Sequence, residues 1–175
     1  KIDKSDDSGK NIKRGDILEI NRDIYLNRLI TRKQNGFIKV ITGIRRCGKS
    51  YLLNKIFYNY LLSEGVDKNH IIRFAFDSAE DLLLIDEDIL DISEQNRKVD
   101  PRKFMKYLAV KIVDDEMYYL LLDEVQLLGN FEAVLNGYMR KDNLDIYVTG
   151  SNSKFLSSDI LTEFEGRGDE IHILP

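Results

Sequence analysis

Apolar positions along the chain switch repeatedly between helical and strand spacing. From Leu18 to Ile30, the residues Ile20, Ile24, Leu26 and Leu29 recur near a helical period, which predicts an amphipathic helix ended by Asn35-Gly36. Residues 1–17 are polar and charged and read as a flexible tail ahead of one domain over 18–175. Phe37-Ile38-Lys39-Val40-Ile41-Thr42 is short, apolar and β-branched, hence a strand. Leu52, Leu53, Ile56, Phe57, Tyr60 and Leu61 then fall on one helical face between Lys49 and Glu64, and Gly65 stops that helix.

The alternation continues. Ile71 to Phe76 reads as a strand. Asp100-Pro101 starts a helix with an apolar stripe at Phe104, Leu108 and Ile112. Met117 to Leu122 is nearly all apolar, the pattern of a strand buried on both faces, and Asp123-Glu124 closes it. A helix over Phe131 to Met139, a strand over Leu144 to Val148, a helical stretch from Phe155 to Phe164 and a last strand from Glu170 to Leu174 complete the pattern. Strands alternating with helices predict an α/β fold, a parallel sheet covered on both faces. Between Asp77 and Asp100 nine residues are acidic, which predicts a solvated loop with one short helix.

The chemistry begins at Gly43-Ile44-Arg45-Arg46-Cys47-Gly48-Lys49-Ser50, a G-x-x-x-x-G-K-S phosphate loop (Walker A) placed between a strand and a helix. Its glycines allow backbone N–H groups to converge on a phosphate, and the following helix adds its positive end. Lys49 supplies a full charge to the β- and γ-phosphates, and the Ser50 hydroxyl is a magnesium ligand. The residues from Gly43 through Tyr51 are therefore the candidate nucleotide contacts. Arg45 and Arg46 either touch phosphate, touch another subunit or face solvent. Cys47 reads as a small loop residue.

Asp123-Glu124 (Walker B) ends a buried strand about 70 residues later, where ligands of open α/β sheets bind. Asp123 is placed to hold magnesium through its water shell. Glu124 is placed to polarise the water that attacks the γ-phosphate. Thr149-Gly150-Ser151-Asn152 follows the next strand. Ser151 or Asn152, with Thr149 less favoured, can sense the γ-phosphate or simply cap the next helix.

This order of motifs resembles the AAA+ ATPases, in which an extra strand separates the phosphate-loop strand from the Asp-Glu strand. Gly43–Ser50, Leu-Leu-Asp-Glu-Val-Gln at 121–126, Val-Thr-Gly-Ser-Asn-Ser at 148–153 and Gly-Arg at 166–167 look like a prokaryotic AAA+-like family. The resemblance covers residues 18–175. It implies a three-layer α/β/α P-loop NTPase with a mostly parallel sheet of about five strands, of AAA+/ASCE type. It also implies ATP and Mg2+ as cofactors, hydrolysis of ATP to ADP, and a C-terminal domain of unknown function beyond this segment. By the family pattern, Arg167 reaches a γ-phosphate in its own chain or across an interface, unless it is a surface arginine in a Gly-flanked turn. Gln126 either touches the attacking water or faces solvent.

Composition narrows the rest. Net charge is −4, so no global basic field speaks for nucleic acid, although a local basic patch stays open. Partners are left as an unidentified protein or a second copy. A lone cysteine excludes an intrachain disulfide, and no apolar run approaches the roughly 20 residues of a membrane span. These features point to the cytoplasm. His70 and His172 lie far apart without cysteines beside them and do not suggest a structural metal. Three activities remain distinct: an ATPase, a nucleotide-gated binding module with little turnover, and a small-molecule phosphoryl transferase. The absence of Asn-Lys-x-Asp favours ATP over GTP, with the base held near Ile20 to Tyr25.

Overall fold

A computed structural model describes residues 14–87, 98–150, 164 and 166–174, with side chains from Arg22 onward. Five strands build one sheet: β1 (Ile38–Gly43), β2 (Ile71–Ala75), β3 (Tyr118–Asp123), β4 (Leu144–Thr149) and β5 (Gly168–Ile173). All neighbours are parallel, in the order β2-β3-β4-β1-β5. β4 therefore separates the strand that leads into the phosphate loop from the one that ends in Asp123.

Period-two alternation sorts the strand residues into two cores. Ile38, Val40, Leu120, Leu122, Ile146 and Val148 face one side. There they meet Phe104 and Leu108 of α5 (Pro101–Lys111) and Phe131, Val134 and Leu135 of α6 (Phe131–Tyr138). Ile41, Tyr119, Leu121 and Tyr147 face the other side, against Leu29 of α1 (Arg14–Thr31) and Leu52, Leu53, Phe57 and Leu61. The result is a three-layer α/β/α P-loop NTPase fold.

The helix after the phosphate loop is one run of three segments: α2 (Lys49–Tyr51), a π-helical turn (Leu52–Phe57) and α3 (Tyr58–Ser63). Gly65 ends it at φ 85, with the Val66 amide bonded to Leu61 O. The helix predicted from Asp100-Pro101 starts there: the Asp100 carboxylate accepts from the Arg102 amide at 2.8 Å and Pro101 takes the first turn. Its stripe is shorter than expected, because the helix closes at Lys111 and Ile112 packs as its extended cap. α4 (Ala79–Leu83) is the short helix of the acidic segment, capped by the Ser78 hydroxyl.

Two sequence expectations need adjustment. α1 begins at Arg14, inside the stretch read as tail. Its buried face is Tyr25, Leu26, Leu29 and Ile30, whereas Ile24 is exposed. The helical stretch expected from Phe155 lies outside the described residues up to Phe164. Among the described residues, no helix is long and apolar enough to cross a membrane.

Candidate nucleotide and magnesium site

β1 delivers the chain to the phosphate loop, and the loop needs its glycines. Gly43 sits at φ 143, and a Cβ there would meet Ile173 O at 2.6 Å, so only glycine lets β1 and β5 end this close together. Gly48 sits at φ 95 and Arg46 at φ 67. The buried Lys49 ammonium donates to Gly43 O and Ile44 O, both at 3.0 Å, which centres its charge within the loop. Ile44, Arg45, Arg46, Ser50 and Tyr51 are exposed, while Cys47 is a half-buried free thiol. The Arg22 guanidinium lies 4.6 Å from the centre of the Tyr51 ring, placing α1 beside the loop. Tyr25 is on the inner face of α1, and its hydroxyl accepts from the Leu174 amide at 3.0 Å.

Parallel pairing puts the ends of β1 and β3 on the same rim of the sheet. Asp123 is buried there, and both of its oxygens are engaged. The Thr149 hydroxyl donates to Oδ1, and the Asn54 amide donates to Oδ2 at 3.1 Å. The same Thr149 oxygen accepts from the Glu124 amide at 3.1 Å, so one hydroxyl from β4 ties the two acids together. Glu124 adopts φ 52, a left-handed conformation rare outside glycine, and the Leu127 amide bonds back to its carbonyl at 3.0 Å. Gln126, read from sequence as facing either water or solvent, is buried and donates to Glu124 Oε2.

Asp77, just past β2, joins these acids. Burial, then the neighbouring Asp123, Glu124 and Asp81 charges, push its carboxyl above the usual carboxylate range. Ionised Asp77 therefore opposes folding at neutral pH, and Asp77→Asn should raise Tm there in metal-free buffer. The sign follows from linkage: a carboxyl whose folded pKa lies above its unfolded 3.8 weighs increasingly against the folded state as pH rises through the folded value, and is protonated in both states well below 3.8. The advantage of the variant should vanish at that acid end. A gain that persists at low pH would mean that charge is not the cause.

The donor set fits a hard divalent cation. Ser50 lies in the first turn of the helix, one turn before Asn54, whose side chain touches Asp123, so hydroxyl and carboxylate share one corner. A hydroxyl, a carboxylate and nearby excess negative charge are the oxygen-only surroundings that magnesium takes, with phosphate oxygens and water completing the shell. Among the described residues no group of three or more His, Cys, Asp or Glu is arranged to hold a metal by itself. A cavity of about 830 Å3 runs along the outer edge of β2, lined by His70, Arg73 and Asp114 and reaching Asn54 and Ser78 at the end towards this corner.

Arg167 is not in this corner. Gly168 pairs with Ile38 and Ile173 with Gly43, so Arg167 stands at the opposite end of β1 from the loop, and its carbonyl accepts from the Ile38 amide. The intervening strand spans roughly 17 Å. That distance corrects the reading of Arg167 as a contact to its own chain's γ-phosphate. Its exposed side chain leaves the route across an interface. Ser151 and Asn152 lie outside the described residues. Asn54, Thr149 as the tie between the acids, and Asp77 were missed or undervalued from sequence. The signal for Asn54 was its helical spacing from Ser50, and for the others their position at adjacent strand ends.

Fold and site together define a P-loop nucleotide-binding module of the AAA+ ATPase type. The AAA domain model AAA_14 matches residues 35–175, and the chain belongs to that family. It is 34% identical over 157 residues to an uncharacterized protein of Haemophilus influenzae, covering 89% of this chain and 36% of that protein. It is 32% identical over 160 residues to an uncharacterized protein of Methanocaldococcus jannaschii, covering 89% of this chain and 29% of that one. The chain thus spans about a third of the length of these relatives. A structure of Drosophila ORC bound to DNA aligns with TM-score 0.54 at 20% identity, covering 93% of this chain and 96% of that one. At that identity the likeness speaks for the fold.

Proposed function

We propose that the domain binds ATP with magnesium in the Gly43–Ser50 loop and hydrolyses it, coupling turnover to a change in the rest of a longer protein. The observation that carries this reading is the Thr149 hydroxyl, which holds Asp123 and Glu124 at the end of β3. A domain that only held nucleotide would have no use for a second, separately oriented acid. ATP supplies the phosphoryl group, and magnesium supplies charge neutralisation at the phosphate oxygens. Lys49 and the loop amides hold the phosphates. Ser50 and Asp123 are the residues for the metal, and Glu124 accepts a proton from the attacking water. Ser151 and Asn152 stay assigned as the polar contacts beyond β4.

Arg167 completes the site of a neighbouring copy in this reading, since it cannot serve its own. The test is complementation in the full-length protein. Lys49→Ala removes the phosphate contact but keeps Arg167; Arg167→Ala keeps the loop but lacks the guanidinium. Each alone should be nearly inactive, and the mixture should recover a substantial fraction of ATP turnover. An arginine supplied in trans is worth about 10³–10⁵ in rate in other phosphoryl-transfer systems. No recovery, with Arg167→Ala alone fully active, would remove Arg167 from the mechanism. Absence of turnover in the wild type would remove the hydrolytic reading altogether.

A further inference from the structure

We propose that Asn54 is a positioning residue of the magnesium site and acts through Asp123. The inference rests on the ATP–magnesium reading and extends it to a residue that no phosphate-loop or Asp-Glu pattern includes. Asn54 lies in the π-helical turn Leu52–Phe57, a geometry uncommon in helices and often found at functional sites. Its amide donates to Asp123 Oδ2 at 3.1 Å while Thr149 holds Oδ1 from β4. The carboxylate is therefore fixed about its own axis by two neutral donors on different elements. Neutral donors matter here. A lysine or arginine in either place would orient the carboxylate equally well but would cancel the charge that attracts the metal.

The Asn54 backbone is held from outside its own helix. The Arg73 guanidinium of β2 donates to Asn54 O at 3.3 Å and sits 4.0 Å from the centre of the Tyr58 ring. A carbonyl in the π turn thus has an external donor, and the side chain on the same residue is aimed at the metal-holding acid. Groups that orient metal ligands typically account for 10–100-fold in metal affinity. Magnesium keeps several waters and contacts few protein oxygens directly, so the lower end of that range applies.

The experiment follows binding of a fluorescent ATP analogue to the full-length protein, in EDTA and across a magnesium titration. Asn54→Ala and Asn54→Leu should each raise the magnesium concentration at half-maximal response by about 10-fold. Affinity in EDTA should stay at the wild-type value, which also reports that the loop and its helix are folded. Unchanged magnesium midpoints in both variants would overturn the inference while leaving the function intact. A loss in EDTA as large as the loss in magnesium would also overturn it, because Asn54 would then support only the helix. A wild type that binds no nucleotide, or binds it without response to magnesium, would remove the proposed function and this inference with it.

Discussion

Glu124→Gln should lower ATP turnover by about 10²–10⁴-fold, the usual contribution of a positioned general base, while nucleotide binding stays close to wild type. The substitution is close to isosteric and keeps the local frame. The Glu124 amide still donates to Thr149, and a glutamine carbonyl still accepts from Gln126. What disappears is the capacity to take a proton from water. The left-handed backbone at Glu124 strengthens the case, since such a residue costs of order 1–3 kcal/mol and persists only where its surroundings impose it. Here Thr149 and the return bond from Leu127 impose it. Turnover equal to wild type, with ATP still bound, would show that Glu124 is not the base. Single-turnover measurement separates this from slow product release.

Much of that corner is legible in the chain because its pieces are local. The phosphate loop is a contiguous pattern between a β-branched run and a helical face, and Asp123-Glu124 directly follows a run of apolar residues. The order of strands also follows once the motifs are placed, and β4 does lie between β1 and β3. Contacts between distant elements are less legible. Asn54 meets Asp123 across 69 residues of chain, and its helical spacing from Ser50 is a faint signal of the meeting. Thr149 looked like the lesser candidate beside Ser151 and Asn152 because sequence order does not show that its hydroxyl turns towards β3.

The in-chain reading of Arg167 fails for a reason that was available in principle. In a parallel sheet the residue before a strand lies at the rim opposite the residue after its neighbour. Gly43 ends β1 and Arg167 precedes β5, so the two are kept apart by the length of a strand. The family pattern allowed proximity within one chain, and the strand direction opposes it. Ile24 illustrates the same limit on a smaller scale. Its spacing fitted the apolar face of α1, yet Tyr25 and Leu29 took the face that meets the sheet.

The other large effect expected lies at that opposite rim. Lys39→Met should destabilise the fold by about 3–5 kcal/mol, the usual result of stripping one partner from a buried ion pair. For a domain of this size that is a fall of roughly 6–20 °C in Tm. Lys39 and Asp145 are almost wholly buried and paired with each other. Burial lowers the Lys39 ammonium from its usual pKa, and the Asp145 charge opposes that shift. Asp145 also accepts from the Tyr147 hydroxyl at 2.8 Å and the Gln34 amide at 2.9 Å, while Lys39 donates to Phe37 O at 2.9 Å. The pair thus fastens the connection between α1 and β1 to the middle of the sheet. Removing the ammonium leaves a buried carboxylate with hydrogen bonds but no counter-charge. Removing both charges together, as Lys39→Met with Asp145→Asn, should recover part of the loss, because the amide oxygen can still accept from Tyr147 and Gln34 while no charge is left buried. A Lys39→Met variant that loses no more than about 1 kcal/mol would place the pair with ordinary surface bridges. Nucleotide affinity gives the complementary check: this network lies a strand's length from the phosphate loop, so the folded variants should bind ATP as the wild type does.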